Sequence, residues 1–312
     1  MPLAAAIAGG LIAALFFLSV LTGSPGSLIL VYLVQLPLYG VGLSLGVKAT
    51  MVAGGAAALA ASAADGLWSG AIFCLLEVLP VALLVAQALR RHQDGDAPSW
   101  SSPDALAITL VMLGAAALVV GAVLIAATGN GIAATVHGFI QNQLTGALHG
   151  GEAAVPGAPG LTTGEVADLV APLFPALAVA GWLLMTMLNG VLAQGALARF
   201  QLNRRPSPDI ATLTLPRWFA APLAAAALLA LLAEGDVAYV ATNLLPVLAI
   251  AYVLAGLGLL HAALRRYAGR VFLLVPAYLS LIFGWPILLL AACGIIDQWF
   301  GLRSRLAGPA PR

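Results

Sequence analysis

An apolar block at residues 271–306, near the end of the chain, constrains the fold more than any other sequence feature. About 20 apolar residues are enough to cross a bilayer, so this block is too long for one simple span. It is also too apolar for a helix of a soluble domain. Charged residues make up only 8% of the chain and hydrophobic residues 62%, whereas soluble domains contain about 25% charged residues. The sequence therefore predicts an all-α, polytopic membrane helix bundle that lies in a lipid bilayer.

Apolar segments of similar character precede this block along the whole chain. The predicted spans are residues 3–22, 27–46, 49–64, 67–89, 105–128, 166–197, 219–233, 237–264 and 271–290. Between the fifth and sixth, residues 132–148 carry apolar side chains at helical spacing, which predicts an amphipathic helix in the membrane interface. The polar segment 201–218 predicts a boundary between two domains, residues 1–200 and 201–312. We expect eight or nine transmembrane helices in total.

The charged residues of the connections alternate along the chain. Lysines and arginines follow the even-numbered spans: Lys48, Arg90, Arg91, Arg199, Arg204, Arg205, Arg217, Arg265, Arg266 and Arg270. The connections after the odd-numbered spans up to the seventh carry acidic residues without lysine or arginine. Cytoplasmic connections are enriched in Lys and Arg, so the pattern predicts a cytoplasmic N-terminus.

The final block allows two interpretations. If residues 271–290 cross the membrane as one helix bent at Pro286, Arg303 and Arg305 lie outside, against the charge pattern. If the block breaks near Gly284 and re-enters, both arginines stay inside, and we favour this side. Residues after 290 show helical spacing of apolar side chains, which predicts a terminal interfacial amphipathic helix. We expect Asp297 to face water or an inner arginine.

Glu77 is the most prominent candidate for a binding site. It lies in the middle of the fourth span, three residues before Pro80. An ionisable group at that depth is costly and by default marks a functional position. Pro80 lacks a backbone N–H and frees the carbonyl one turn earlier. A carboxylate that binds a substrate or carries a proton is one interpretation, and a protonated or hydrogen-bonded residue that joins two helices is the other.

Uncharged polar residues within the spans extend this candidate site. Gln35, Asn189 and Asn243 are the proposed substrate-binding partners of Glu77, and Asn243 is notable because Pro246 follows it. Such residues also form ordinary hydrogen bonds between membrane helices, and this alternative stays open for all three.

Known signatures of catalysis and of cofactor binding are missing from the sequence. The histidines lack the spacing of metal ligands: His92, His137, His149 and His261. We therefore expect no enzymatic activity, no catalytic residue, no cofactor, no metal site and no nucleic-acid partner. The two cysteines, Cys74 and Cys293, are expected to be buried apolar side chains.

Three stretches resemble the YybS-like family of predicted bacterial inner-membrane proteins, whose domain has no known function. They are LPRWFAAPLAAAALLALL, LLHAALRR and GIIDQWFGLRSRL, which begin at Leu215, Leu259 and Gly294. The resemblance implies a multi-pass protein of the bacterial inner membrane. The stretch from Gln35 to Gly66 resembles the second and third helices of the substrate-binding S components of energy-coupling-factor transporters. This implies a six-helix S-component-like first half followed by extra C-terminal helices.

Two functions follow from these features. The first is a small-molecule transporter, or the substrate-binding membrane subunit of one, with a small-molecule ligand at Glu77. The alternative is a non-transporting membrane scaffold or assembly factor that binds a membrane or cytoplasmic protein partner through its arginine-rich inner connections.

Overall fold

The computed structural model describes residues 2–93, 99–147 and 162–306, and these residues are almost entirely helical. The fifteen α-helices of the described residues are, in chain order, α1 Pro2–Leu18, α2 Pro25–Tyr32, α3 Gln35–Leu45, α4 Val47–Asp65, α5 Leu67–Phe73, α6 Leu79–Ala88, α7 Pro103–Ala126, α8 Ile132–Ala147, α9 Thr163–Val170, α10 Phe174–Arg199, α11 Ala220–Leu232, α12 Gly235–Leu264, α13 Arg270–Ser280, α14 Trp285–Phe300 and α15 Leu302–Leu306. A π-helical segment, Cys74–Val78, joins α5 to α6. Two short antiparallel strands are β1 Arg91–His92 and β2 Ser99–Trp100.

Seven helices of the described residues are long and apolar enough to cross a membrane, or eight if one bent pair counts as a single span. The seven are Pro2–Thr22, Gly26–Leu45, Val47–Asp65, Leu67–Ala88, Pro103–Ala126, Phe174–Arg199 and Gly235–Leu264. Each corresponds to a predicted span, so the polytopic all-α fold is confirmed. The predicted span at 219–233 is a shorter apolar helix, Arg217–Leu232.

Two compact units make up the chain, and the division between them falls within helices. Unit 1 comprises residues 1–110 and 183–213, and unit 2 comprises residues 111–182 and 214–312. The predicted domain boundary at residue 200 does not coincide with this division. The reason is that the polar segment after residue 200 folds back onto unit 1. There Arg205 is buried and donates hydrogen bonds to the carbonyls of Ala88 and Ser101.

Close helix packing through glycine holds unit 1 together. Helix α1 packs against α3 and α4. A Cβ atom at Gly10 would fall 2.1 Å from the carbonyl oxygen of Ala53, so the two backbones touch without a side chain between them. Small residues at such crossings let membrane helices approach closely. The chain turns between α3 and α4 at Gly46, whose φ of +103° is readily adopted only by glycine.

Unit 2 uses the same device between α12 and α14. A Cβ atom at Gly256 would lie 2.0 Å from the Leu290 carbonyl oxygen, and one at Gly294 would lie 2.1 Å from the Tyr252 carbonyl oxygen. The two contacts run in opposite chain directions, so the helices pack antiparallel. Two close approaches one helical turn apart fix the register of this pair.

The predicted sixth span, residues 166–197, is interrupted in the structure. The chain forms α9, then a turn at residues 171–173, and then α10. Pro172 lies within this turn, and Pro175 is the second residue of α10. Proline cannot donate a backbone hydrogen bond and disfavours helical geometry in the preceding residue, so two prolines this close end one helix and begin the next.

The predicted interfacial helix is present as α8, but its apolar face lies within the protein. Ile132, Val136 and Ile140 are buried in a cluster with Ala122 of α7 and Ala167 of α9. The sequence pattern located the helix correctly and could not distinguish a membrane surface from a neighbouring helix as the apolar partner.

The final block contains a sharp break. Helix α13 and the short turn after it are bent by 114° from α14, and Gly284 between them has a φ of +77°. The predicted bend at Pro286 is therefore a break at Gly284, where the second interpretation placed it, and the bent pair is either a broken span or a re-entrant loop. Residues 291–300 are part of α14, which packs against α12 and is not a separate interfacial helix. Asp297 is buried, and its carboxylate lies 3.3 Å from the guanidinium of Arg303, so the predicted arginine partner exists while the predicted contact with water does not.

Candidate functional site

The helix that carries Glu77 changes its winding where the proline interrupts it. Pro80 has no N–H, so the usual α-helical bond to the carbonyl of Leu76 cannot form. The preceding segment Cys74–Val78 widens into a π-helix, in which the N–H of Leu79 donates to the carbonyl of Cys74, five residues earlier. Single π-turns within helices occur frequently at functional sites. Here the π-turn carries the acidic residue itself.

Gln35 compensates in part for the interrupted helix. This residue begins α3, and its side chain is fully buried. Its Nε2 atom lies 3.4 Å from the Leu76 carbonyl oxygen, which is the carbonyl to which Pro80 cannot donate because it has no N–H. The same side chain interacts with the carboxylate of Glu77. Gln35 thus links α3 to the π-segment and to the Glu77 side chain.

Glu77 is buried but incompletely hydrogen bonded. Its side chain is 8% exposed. The Oε2 atom has no hydrogen-bond partner in the part of the chain that the structure describes, and the same is true of Oε1 of Gln35. Buried polar atoms are almost always hydrogen bonded, so such exceptions require an explanation. These two side chains interact, and each keeps an acceptor oxygen without a donor among the described residues, which is available to a group from outside the chain.

Tyr39 belongs to this group of residues, although the sequence did not indicate it. It lies one turn after Gln35 on α3, is buried, and interacts electrostatically with Glu77. Its ring packs on Gly190 of α10, where a Cβ atom would lie 3.4 Å from the ring. The spacing of four residues between Gln35 and Tyr39 places both on one helix face, and this was the signal available in the sequence.

Asn189 brings a second amide to the same unit. This residue precedes Gly190 on α10, and its Nδ2 atom donates to the carbonyls of Tyr32, at 2.7 Å, and Met185, at 2.8 Å. Tyr32 is the last residue of α2 and lies at the break before Pro37. Oδ1 of Asn189 has no partner among the described residues, and neither does the hydroxyl of Thr186 on the same helix face.

The side-chain amides of Gln35 and Asn189 are therefore held in the same way. The nitrogen atoms of Gln35 and Asn189 are bound to backbone carbonyls at helix breaks, and this fixes which way each amide points. Within the described part of the chain, their oxygen atoms remain without donors, as does one oxygen of Glu77. We define Gln35, Tyr39, Glu77 and Asn189 as the Glu77 site.

Asn243 belongs to unit 2, whereas the Glu77 site belongs to unit 1. Its Oδ1 atom accepts from the N–H of Ala176 at 3.0 Å, and its Nδ2 atom donates at 2.9 Å each to the carbonyls of Pro172 and Tyr239. The side chain thereby bridges the turn between α9 and α10 and takes the place of the missing helical bond between Pro172 and Ala176. Every polar atom of the side chain is occupied, so we leave Asn243 out of the candidate site.

A second group of polar residues lies in unit 2, outside the candidate spans. His137 of α8 lies 2.9 Å from Asp168 of α9. Thr162 and Glu165 form a capping box at the start of α9, and these hydrogen bonds lower the pKa of the Glu165 carboxyl. The His137–Asp168 contact links α8 to α9, and the capping box completes the hydrogen bonds at the start of α9. His149, one of the four histidines of the sequence, lies outside the described residues.

The described residues do not form a cluster of metal-ligating side chains. Among residues 2–93, 99–147 and 162–306, no three His, Cys, Asp or Glu side chains come together in a way that could hold a metal ion. Glu77 is the single carboxylate among the four residues of its site. Cys74 and Cys293 are both exposed on the protein surface, which corrects the expectation that they are buried.

The apolar helices and the buried polar site define an integral membrane protein of the helix-bundle class. The chain belongs to the DUF2232 family, described as a predicted membrane protein, whose model matches residues 11–298. The match covers both units and the Glu77 site. No curated protein matches the chain, and no solved structure does.

Proposed function

We propose that this chain is a small-molecule transporter, or the substrate-binding membrane subunit of one, and that Glu77 lies at its binding site. The observation that carries the proposal is the carboxylate oxygen of Glu77, which is buried in a π-helical turn without a donor among the described residues. A protein that needed Glu77 only to join two helices would gain stability by pairing that oxygen, since unpaired buried acceptors cost about 1–3 kcal/mol.

The interrupted helices around the site support the same proposal. In transporters, substrate sites lie near the middle of the membrane where helices are broken and backbone groups are freed. Here the breaks before Pro37 and Pro80 both border the Glu77 site. The proposal assigns no catalytic role to any residue.

The resemblances of the sequence extend the proposal. The likeness to YybS-like proteins and the alternating charges of the connections favour the bacterial inner membrane with the N-terminus in the cytoplasm. The likeness of the first half to S components favours a binding subunit that works with an energising partner.

The alternative of a membrane scaffold receives less support. Its suggested partner surface was the arginine-rich segment 201–218. In the structure, Arg205 is committed to carbonyls within unit 1, and Leu213, Leu215 and Phe219 are buried. A segment held in this way has fewer groups left for a partner.

A ligand screen tests the proposal. The full-length protein, purified in detergent, would be heated with a broad set of metabolites, and its melting temperature recorded. We expect at least one compound to stabilise the wild type and not the Glu77→Gln variant. Glu234→Gln is the matched control, because Glu234 is exposed and its side chain makes no capping bond. Failure of the whole set to stabilise the wild type would contradict the proposal.

A further inference from the structure

The unpaired polar atoms of the Glu77 site are all hydrogen-bond acceptors. The oxygens without donors in the described part of the chain belong to Glu77, Gln35 and Asn189. The corresponding amide nitrogens are already held by carbonyls, so neither amide can turn to present a donor without breaking a bond to a helix end. The site therefore presents hydrogen-bond acceptors, and a ligand that binds there must carry hydrogen-bond donors.

The charge of the Glu77 carboxylate further limits which classes of ligand can bind. A buried carboxylate is stable in its charged form only when it is paired and hydrogen bonded. An anionic ligand would add repulsion, and a neutral donor would leave the charge of Glu77 without a counter-ion. A cation with N–H groups satisfies both needs, because charge-assisted hydrogen bonds to carboxylates are among the strongest in proteins.

The neighbouring residues favour an organic cation with one charge. Divalent metal ions collect several carboxylates and other oxygens, whereas this site contains one carboxylate. Tyr39, which interacts electrostatically with Glu77, provides an aromatic ring, and aromatic rings attract ammonium groups. Resting on the proposed function, we infer that the ligand of the Glu77 site is a small organic cation whose primary ammonium group binds Glu77 and Gln35.

Matched compounds that differ only in charge test this inference. The purified full-length protein would be melted with ethylamine and butylamine, with the neutral N-ethylacetamide and N-butylacetamide, and with propionate and butyrate. Sodium and potassium chloride at equal ionic strength provide the inorganic cations. We expect the amines alone to raise the melting temperature, by roughly 2–4 °C at concentrations well above the dissociation constant.

Variants test whether the rise in melting temperature with amines arises at the Glu77 site. The shift should disappear in Glu77→Gln, persist in Glu234→Gln, and fall by at least half in Gln35→Leu, which removes one acceptor while keeping the carboxylate. The Gln35 variant also decides the matter if Glu77→Gln does not fold.

The other outcomes separate this inference from the proposed function. Stabilisation by the neutral or anionic compounds that requires Glu77 would overturn the cationic ligand and leave a ligand-binding protein. An equal shift with sodium or potassium chloride would overturn the organic ligand in favour of an inorganic one. An amine effect that is unchanged in Glu77→Gln and Gln35→Leu would place the binding elsewhere and overturn the inference. No shift with any amine, while the broader metabolite set yields a Glu77-dependent ligand, would overturn this inference alone.

Discussion

Two helix breaks in this protein differ in how completely a neighbouring side-chain amide forms hydrogen bonds with the backbone groups there. At the turn between α9 and α10 in unit 2, Asn243 occupies both the freed N–H and the freed carbonyl, and every polar atom of its side chain has a partner. At the break before Pro80 in unit 1, the bond from Gln35 to the Leu76 carbonyl is long, and oxygens of Gln35 and Glu77 remain unpaired among the described residues. A closed arrangement contributes stability, and an open one gives up stability and leaves polar groups for a ligand.

The largest effect should come from disrupting the closed break. In Asn243→Leu, the buried N–H of Ala176 and the carbonyl of Pro172 both lose their partner. At about 1–3 kcal/mol for each of these two groups, the free energy of unfolding should fall by about 2–6 kcal/mol. Denaturation of the purified protein in mixed micelles measures it.

A matched substitution controls for the change of residue type. Asn142 is exposed on α8, so Asn142→Leu should change the free energy of unfolding by less than about 0.5 kcal/mol. An Asn243→Leu protein as stable as this control would contradict the closed-break interpretation.

Asn189→Leu should have an intermediate effect. Only the carbonyl of Tyr32 loses its main donor, because Met185 precedes Asn189 by one helical turn and keeps the backbone bond of the helix. We expect a loss of about 1–2 kcal/mol in the same denaturation experiment. A loss equal to that of Asn243→Leu would mean that both breaks are sealed equally and would remove the contrast between the units.

Gln35→Leu should cost less than either asparagine substitution. Its bond to the Leu76 carbonyl is 3.4 Å long, and hydrogen bonds of that length are weak. We expect a loss of about 1 kcal/mol or less, together with a weaker response to ligand. A large loss of stability with an unchanged ligand response would assign Gln35 a purely structural role.

Glu77→Gln should have the smallest effect on stability, with the opposite sign. The substitution removes a buried ionisable group whose cost is not offset by a full set of hydrogen bonds. We expect the ligand-free protein to gain up to about 1 kcal/mol in the free energy of unfolding. A loss of more than about 2 kcal/mol would indicate that Glu77 stabilises the helix packing instead.

The features predicted correctly were those that depend on neighbouring residues in the chain. The seven long spans follow from runs of apolar residues. The break at Gly284 was one of two alternatives that the sequence allowed. Composition and spacing carry this information because a helix needs only its own residues to satisfy its backbone.

The remaining features depend on contacts between distant residues. No pattern in the sequence places the amide of Gln35 on the carbonyl of Leu76, or that of Asn243 on the turn at Pro172. The sequence therefore grouped Asn243 with Glu77 on chemistry alone, and it missed Tyr39 because a tyrosine in a span is usually a packing residue. The π-turn was also not predicted, since Pro80 allows a kink as readily as a widened turn.

Direct binding of a radiolabelled amine measures the central claim. The full-length protein would be immobilised in detergent, and saturation with labelled ethylamine followed for the wild type, Glu77→Gln and Glu234→Gln. The account predicts saturable, stoichiometric binding to the wild type and Glu234→Gln, and none to Glu77→Gln. Equal binding by all three proteins, or none by the wild type, would contradict it.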